Sequence, residues 1–155
     1  MPPRDRYELD FFADDEGNKP VLEWIKNDLS FTKRAALGSA MREILQVQGV
    51  RVCKTEWGKQ LGQSVFEFRL RMVGSQAVSE GWAPETRVDV SEQILLRVFC
   101  HAYGDKIVLL LAGYDKGEEP SSKRQQRELA LARQRLKQHK TREAAARKRE
   151  RRKSK

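Results

Sequence analysis

Apolar and polar residues alternate most clearly over residues 64–72, which read Ser-Val-Phe-Glu-Phe-Arg-Leu-Arg-Met. A period of two is typical of a β-strand whose two faces meet different surroundings. One face would carry Phe66, Phe68, Leu70 and Met72, and the other would carry Glu67, Arg69 and Arg71. We expect the apolar face to pack against helices and the charged face to lie open to solvent or ligand.

Three further strands are predicted. Residues 7–12 form a short first strand, and 93–102 and 106–114 form two strong strands joined by a tight turn at 103–105. The last two strands should pair as a hairpin. Residues 73–91 show no sustained period, so we expect a long, mobile connection there.

Helical spacing dominates the remaining segments. A first helix is expected over 20–29, beginning at Pro20, and a second is expected to be capped by Ser30 and to stop at Gly49. A C-terminal helix should start at Pro120-Ser121-Ser122 and dock through a thin apolar stripe, Leu129, Ala132 and Leu136. Beyond about Lys140 the stripe fades, and we expect this end to fray or to be disordered alone.

These elements predict an α+β fold. An N-terminal strand and an α-hairpin pack on a small twisted antiparallel sheet, and a C-terminal helix follows. We assign residues 1–121 to the folded domain and residues 122–155 to a basic helix and tail.

Charge is distributed unevenly between these two parts. The formal net charge is +9, yet residues 121–155 hold 15 Lys and Arg against three acids, while residues 1–120 hold 16 against 19. Clustered cations gain most from displacing the counterions of a polyanion, which favours a nucleic-acid partner. The alternative is a solvated helix that only aids solubility.

Neither the cysteines nor the apolar runs suggest export or a membrane partner. Cys53 and Cys100 form no C-x-x-C pair, so a disulfide framework or zinc site is not expected and a reducing compartment fits. The longest apolar run, 107–112, is far shorter than the ~20 residues that span a bilayer. We therefore expect a cytoplasmic protein.

Four local motifs occur in an order that resembles the RelE/ParE toxin superfamily, most closely its HigB-like, phage-derived branch. They are Pro20-Val21-Leu22-Glu23-Trp24-Ile25, Val65-Phe66-Glu67-Phe68-Arg69, Leu96-Arg97-Val98-Phe99, and Leu109 to Lys116 ahead of a proline and a helix. The resemblance covers roughly residues 7–137 and implies a RelE-like fold. One departure is Asp115, which precedes a single lysine where the branch usually has two.

The resemblance implies the toxin of a type II toxin-antitoxin system. Such a protein is an endoribonuclease that cuts translated mRNA on the ribosome, without metal or another cofactor, and a cognate antitoxin, often of helix-turn-helix type, neutralises it. Two alternatives stay open: a non-enzymatic, ParE-like inhibitor of gyrase, and a nucleic-acid-binding module that acts through its basic tail.

Five residues are candidates for catalysis. Arg69 and Arg97 suit the scissile phosphate, because a planar guanidinium grips two oxygens at once; the alternative is a salt bridge with Glu67. His101 shares the strand parity of Arg97 and suits proton transfer, or is only a hydrogen-bonded surface residue. Tyr114 and Lys116 share a face at the end of the last strand. Tyr114 would stack on a base, or is only a core aromatic residue. Lys116 would neutralise phosphate charge.

Other cations are candidates for RNA binding. Lys54 and Lys59 precede the charged strand, where the family places basic residues that bind RNA. The remaining candidates are Arg71, Lys123, Arg124 and Arg127. The sequence contains no H-E-x-x-H motif and no Gly-rich phosphate loop, so no metal or nucleotide cofactor is expected.

Overall fold

A five-stranded mixed sheet forms the centre of the protein. The computed structural model describes residues 6–154. Its strands are β1 (Glu8–Phe11), β2 (Gly58–Gly62), β3 (Val65–Val73), β4 (Gln93–Tyr103) and β5 (Ile107–Asp115), in the spatial order β1-β5-β4-β3-β2. Strand β1 pairs with β5 in parallel, and the other pairs are antiparallel. The predicted α+β class is confirmed.

Two helices precede the main strands, as predicted. Helix α1 covers Pro20–Asn27, and α2 covers Phe31–Ala40, after which a π-helical turn and the short α3 continue the same rod over Met41–Leu45 and Gln46–Gln48. The Ser30 hydroxyl caps α2 by accepting a hydrogen bond from the Lys33 N–H at 3.2 Å. Gly49 has φ +55°, a conformation that favours glycine, so the rod ends there and a 3-10 helix follows over Gly49–Lys54.

One face of the sheet packs on these helices. Phe66, Phe68 and Leu70 of β3 are buried there, together with Leu37 and Leu45 from the helical rod. The alternation in β3 therefore assigned its apolar residues to the correct face, because neighbouring side chains in a strand must point in opposite directions.

The other face of the sheet is covered by the long helix α5 (Ser122–Lys153). Phe99 and Leu111 from the sheet form a second core with Ala132 and Leu136 of this helix. The expectation that the charged face lies open therefore holds only in part: Glu67, at its centre, is completely buried, whereas Arg69 is partly exposed and Arg71 is exposed. Period-two alternation identifies two faces but carries no information about what covers each one.

Helix α5 also continues further than predicted. Fraying was expected beyond Lys140, yet the helix extends to Lys153. Arg142 anchors its middle to the β1–α1 loop by bonding Asp15 at 2.9 Å. After this contact the side chains are exposed, and the helix relies on the high intrinsic propensity of Ala, Arg, Lys and Glu. No helix within residues 6–154 combines the length and apolar character needed to cross a membrane.

Two segments that looked irregular in the sequence are ordered. Strand β2 lies at the sheet edge, and the predicted mobile connection at 73–91 contains helix α4 (Gly74–Ser79). The Ser39 hydroxyl donates to the Trp82 carbonyl at 2.9 Å, and the Asp89 N–H donates to the Thr32 hydroxyl at 3.1 Å. Residues 73–91 therefore form a packed lobe that is hydrogen-bonded to α2, rather than a mobile connection.

A histidine lies where α5 crosses the end of β4. The His139 ring meets the Tyr103 ring edge-on at a centroid distance of 4.7 Å, and its Nε2 lies 3.9 Å from the Glu143 carboxylate. The Tyr103 hydroxyl donates to Asp10 at 3.0 Å, and the His101 ring stacks on the Tyr103 ring. Burial lowers the pKa of His139 below its usual 6.5, against the weaker, opposite effect of Glu143.

This burial predicts a pH-dependent stability. In the unfolded chain His139 protonates near pH 6.5. In the folded protein its pKa is lower, so protonation there requires a more acidic pH. Stability should therefore fall as pH decreases from about 7 through 6.5 towards the lowered folded pKa, and no further loss from this group should occur below it.

The melting temperature, followed by circular dichroism between pH 5 and 8, measures this effect. The His139→Gln variant should show a flatter profile than the parent over that range, because it has no group to protonate at this position. A parent and a variant that lose equal stability between pH 7 and 5 would contradict the assignment.

Candidate functional site

Arg69 and Arg97 lie side by side on the face covered by α5. They are register partners on β3 and β4, so their side chains leave the sheet in the same direction. The Arg69 Nε donates to Glu67 Oε1 at 2.6 Å, and the Arg97 Nε lies 3.5 Å from the same oxygen. The salt bridge that the sequence raised as an alternative is formed, and it draws both arginines to one point.

The carboxylate at this point is fixed from two sides. Glu67 is 0% exposed, and its second oxygen accepts a hydrogen bond from the Gln125 side chain of α5 at 3.2 Å. Arg97 is 7% exposed, and burial lowers its pKa from a value so high that the guanidinium stays charged. One buried negative charge thus holds two guanidinium groups in place.

A pocket of about 400 Å³ opens beside this cluster. We call it the arginine pocket, and its lining residues are Glu56, Trp57, Arg69, Arg71, Gln76 and Arg97. Three guanidinium groups face one lining carboxylate, so the site carries excess positive charge. The buried Arg97 Nε makes no hydrogen bond to any described residue. Such a pocket is complementary to a phosphate, whose oxygens accept paired N–H donors.

Tyr114 of β5 and Lys116, just after the end of that strand, flank the same cluster. Tyr114 is the register partner of Arg97, and its ring is 1% exposed and stacked on Phe99 at 6.2 Å. Burial raises the pKa of Tyr114, and its hydroxyl bonds to no group in residues 6–154. Burial, followed by the charge of Arg97, lowers the pKa of Lys116, which makes its neutral amine more accessible.

His101 lies apart from the arginine pocket and does not line it. Its Nδ1 is 2.8 Å from the Ser64 carbonyl oxygen, and its ring stacks on Tyr103 at 6.0 Å. The carbonyl can only accept, so Nδ1 carries the hydrogen in this contact. The shared strand parity with Arg97 is correct, but the two side chains serve different clusters.

The expected RNA-binding residues divide into two groups. Arg71 lines the arginine pocket, and Lys59 is exposed on β2 as the register partner of Glu67. Lys54, Lys123 and Arg127 are exposed outside the pocket lining. Arg124 pairs with both Glu119 and Glu128, so its charge is largely compensated, and Arg127 lies 3.6 Å from the same Glu119.

The departure at Asp115 has a structural explanation. The Asp115 carboxylate accepts a hydrogen bond from the Lys33 ammonium of α2 at 2.6 Å, and it also accepts from the Gly117 N–H at 3.0 Å. Lys33 is additionally 3.5 Å from Glu118. Asp115 thus joins the end of β5 to the helical layer, while Lys116 points to the opposite face.

Three residues of the site had no signal in the sequence. Glu56 and Gln76 line the arginine pocket from irregular or short elements, and Gln125 reaches Glu67 from α5. Trp57 lines the pocket, and its ring lies 5.9 Å from the Trp82 ring, centroid to centroid. The one available signal was the occurrence of Glu67 and Arg69 in one predicted strand and of Arg97 in the next.

Comparisons with known proteins add no family assignment. No protein-family model matches this chain, and no curated protein matches it significantly. Within residues 6–154, no three His, Cys, Asp or Glu side chains come together in a group that could hold a metal ion. The geometry of the arginine pocket is therefore the basis for a functional proposal.

Proposed function

We propose that this protein is the toxin of a type II toxin-antitoxin system, a HigB-like endoribonuclease that cuts mRNA on the ribosome. The observation that carries the proposal is the register pair Arg69 and Arg97, held together by Glu67 and opening into a positively charged pocket beside Trp57. Its partners would be the ribosome with its mRNA, and a cognate antitoxin of helix-turn-helix type.

The pocket supports a metal-independent cleavage. A ribose 2′-hydroxyl attacks the adjacent phosphorus, and the bond from phosphorus to the 5′-oxygen breaks, leaving a 2′,3′-cyclic phosphate and a 5′-hydroxyl. Arg69 and Arg97 would stabilise the extra negative charge of the pentacoordinate phosphate. The neutral amine of Lys116 would accept the 2′-hydroxyl proton, and the Lys59 ammonium would protonate the leaving oxygen.

Removal of either pocket arginine should relieve growth arrest when the protein is produced in cells. Loss of one charge-stabilising donor costs about 100-fold in the rate of such a step. Arg69→Ala and Arg97→Ala are therefore expected to lower the frequency of new mRNA ends by about this factor. Sequencing of mRNA 5′ ends after induction measures the effect directly.

Lys26→Ala is the matched control, because this lysine of α1 is exposed and lies outside the pocket lining. It should retain the parent's cleavage. Arg97 also contributes to a buried ion pair, so each variant must first show the parent's circular dichroism spectrum. If folded Arg69→Ala and Arg97→Ala variants both cut mRNA as well as the parent, the proposal fails.

The burial of Tyr114 and the engagement of His101 favour a second candidate. With both side chains committed to packing, a ParE-like protein that binds gyrase without cutting RNA would need no proton donor or acceptor. Such a protein would trigger DNA-damage signalling and leave mRNA ends unchanged. The same end-mapping experiment, combined with a DNA-damage reporter, separates the two candidates.

A further inference from the structure

A second groove lies between α5 and the turn that joins β2 to β3. Its volume is about 450 Å³. Arg133, Lys137 and Lys140 of α5 line one side, Gln63 of the turn lines another, and Leu136 also contributes to the lining. Among residues 6–154 no acidic side chain lines the groove, so its three cations have no carboxylate beside them in the lining.

The positive charge continues along α5 beyond this groove. Arg133, Lys137, Lys140, Arg147 and Arg151 recur at spacings of three, four or seven residues and therefore share one face of the helix. At 1.5 Å per residue this stripe is about 27 Å long. Glu143, three residues after Lys140 and four before Arg147, borders this face, and its carboxylate lies 3.9 Å from the His139 Nε2. We call these five residues the basic stripe.

The helix that carries the basic stripe also contacts the carboxylate that orients the pocket arginines. At one end, Gln125 of α5 bonds Glu67, the carboxylate that holds Arg69 and Arg97. Two turns later, Arg133 donates to the Leu61 carbonyl of β2 at 2.9 Å. Lys59, the register partner of Glu67 on β2, adds an exposed cation level with the first of these contacts.

We propose that the groove and the basic stripe bind the sugar-phosphate backbone of single-stranded RNA that continues from the arginine pocket. A concave channel between a helix and a hairpin turn admits one strand, whereas the turn would hold a rigid duplex away from the cations. The described lining contains no aromatic ring for base stacking, so recognition would depend on phosphate charge and not on sequence. The inference rests on the proposed function only in taking the ligand to be RNA.

Fluorescence anisotropy of the full chain with a labelled 12-nucleotide 2′-O-methyl RNA tests the proposal. Blocked 2′-hydroxyls prevent cleavage, so binding is measured alone. The variants Lys137→Ala/Lys140→Ala and Arg147→Ala/Arg151→Ala each remove two exposed cations of the stripe. Each should weaken binding about tenfold at 0.1 M salt and reduce the salt slope by about 1.4, because each single-strand phosphate contact contributes about 0.7.

Arg149→Ala/Lys153→Ala provides the matched control. It removes the same charge at the same i, i+4 spacing as Arg147→Ala/Arg151→Ala, but from the opposite flank of the helix. It should change affinity less than twofold. Equal weakening by all three double variants would show a diffuse charge effect and overturn the proposal, as would undetectable binding by the parent. Tighter binding of the matching RNA or DNA duplex would also overturn it.

The Arg69→Ala variant separates this inference from the proposed function. If it cuts mRNA like the parent while the stripe variants lose RNA affinity, the cleavage assignment fails and the binding groove stands. If it stops cutting while the stripe variants bind like the parent, the groove assignment fails and the cleavage site stands.

Discussion

Replacement of Glu67 by alanine is expected to lower the free energy of unfolding by about 3–5 kcal/mol, as for other broken buried ion pairs. The carboxylate is completely buried and is shared by two guanidinium groups, at 2.6 Å from Arg69 and 3.5 Å from Arg97. Without it, Arg97 remains charged and buried with no anion to offset its desolvation. Urea unfolding, followed by tryptophan fluorescence, measures the change.

An exposed pair provides the control for this experiment. Glu43 lies 3.5 Å from Arg42, and both side chains are about half exposed. Glu43→Ala should therefore change stability by less than about 1 kcal/mol. The double variant Glu67→Leu/Arg97→Met should lose less than the sum of the single losses, because it removes the buried charge along with its partner. A loss under 1 kcal/mol for Glu67→Ala would contradict a buried, shared carboxylate.

The strand that carries the site was predictable because its signal is local. Alternation along β3 places Phe66 and Phe68 on one face and Arg69 on the other by backbone geometry alone. The same parity argument put Arg97 on one face of β4 with His101. It could not reveal that His101 bonds the Ser64 carbonyl while Arg97 enters the arginine pocket, since those partners come from other segments.

Elements stabilised by tertiary contacts escaped prediction. Strand β2 reads Gly-Lys-Gln-Leu-Gly, which has no apolar alternation, and its conformation depends on pairing with β3. Helix α5 gave the opposite error. Its basic end was expected to fray because it has little to pack against, yet the helix continues to Lys153, because Ala, Arg and Lys have high intrinsic helical propensity.

The cover over the charged face could not be inferred from the face itself. Gln125 reaches the Glu67 carboxylate across 58 residues of sequence, and nothing in either segment's periodicity encodes that pairing. Arg69 and Arg97, the arginines that the strand pattern singled out, remain the residues proposed to carry the chemistry. The structure adds that a buried glutamate and the helix above it orient them.

A methyl group added at Gly74 should destabilise the protein by about 3 kcal/mol, the upper end of the usual overpacking range. Gly74 begins α4, and its Cα approaches the backbone of the returning chain so closely that a Cβ would overlap the Asp89 carbonyl oxygen and lie 2.9 Å from the carbonyl carbon. The backbone there is held by hydrogen bonds from the Gly74 N–H to Glu92 and from the Ser75 N–H to Val90. The backbone at Asp89 cannot move away from an added methyl group without breaking these hydrogen bonds.

Gly38→Ala is the matched control, since a Cβ at this helical position meets nothing within 4 Å. Alanine should stabilise α2 there by about 0.5–1 kcal/mol, because glycine is the poorer helix former. Urea unfolding of Gly74→Ala and Gly38→Ala should therefore shift in opposite directions. If residues 73–91 were a mobile connection, Gly74→Ala would be neutral or stabilising, and the close approach to Asp89 would not exist in solution. A clear destabilisation at Gly74 alone means that this lobe is packed in solution, next to the Gln76 and Trp57 side chains that line the arginine pocket.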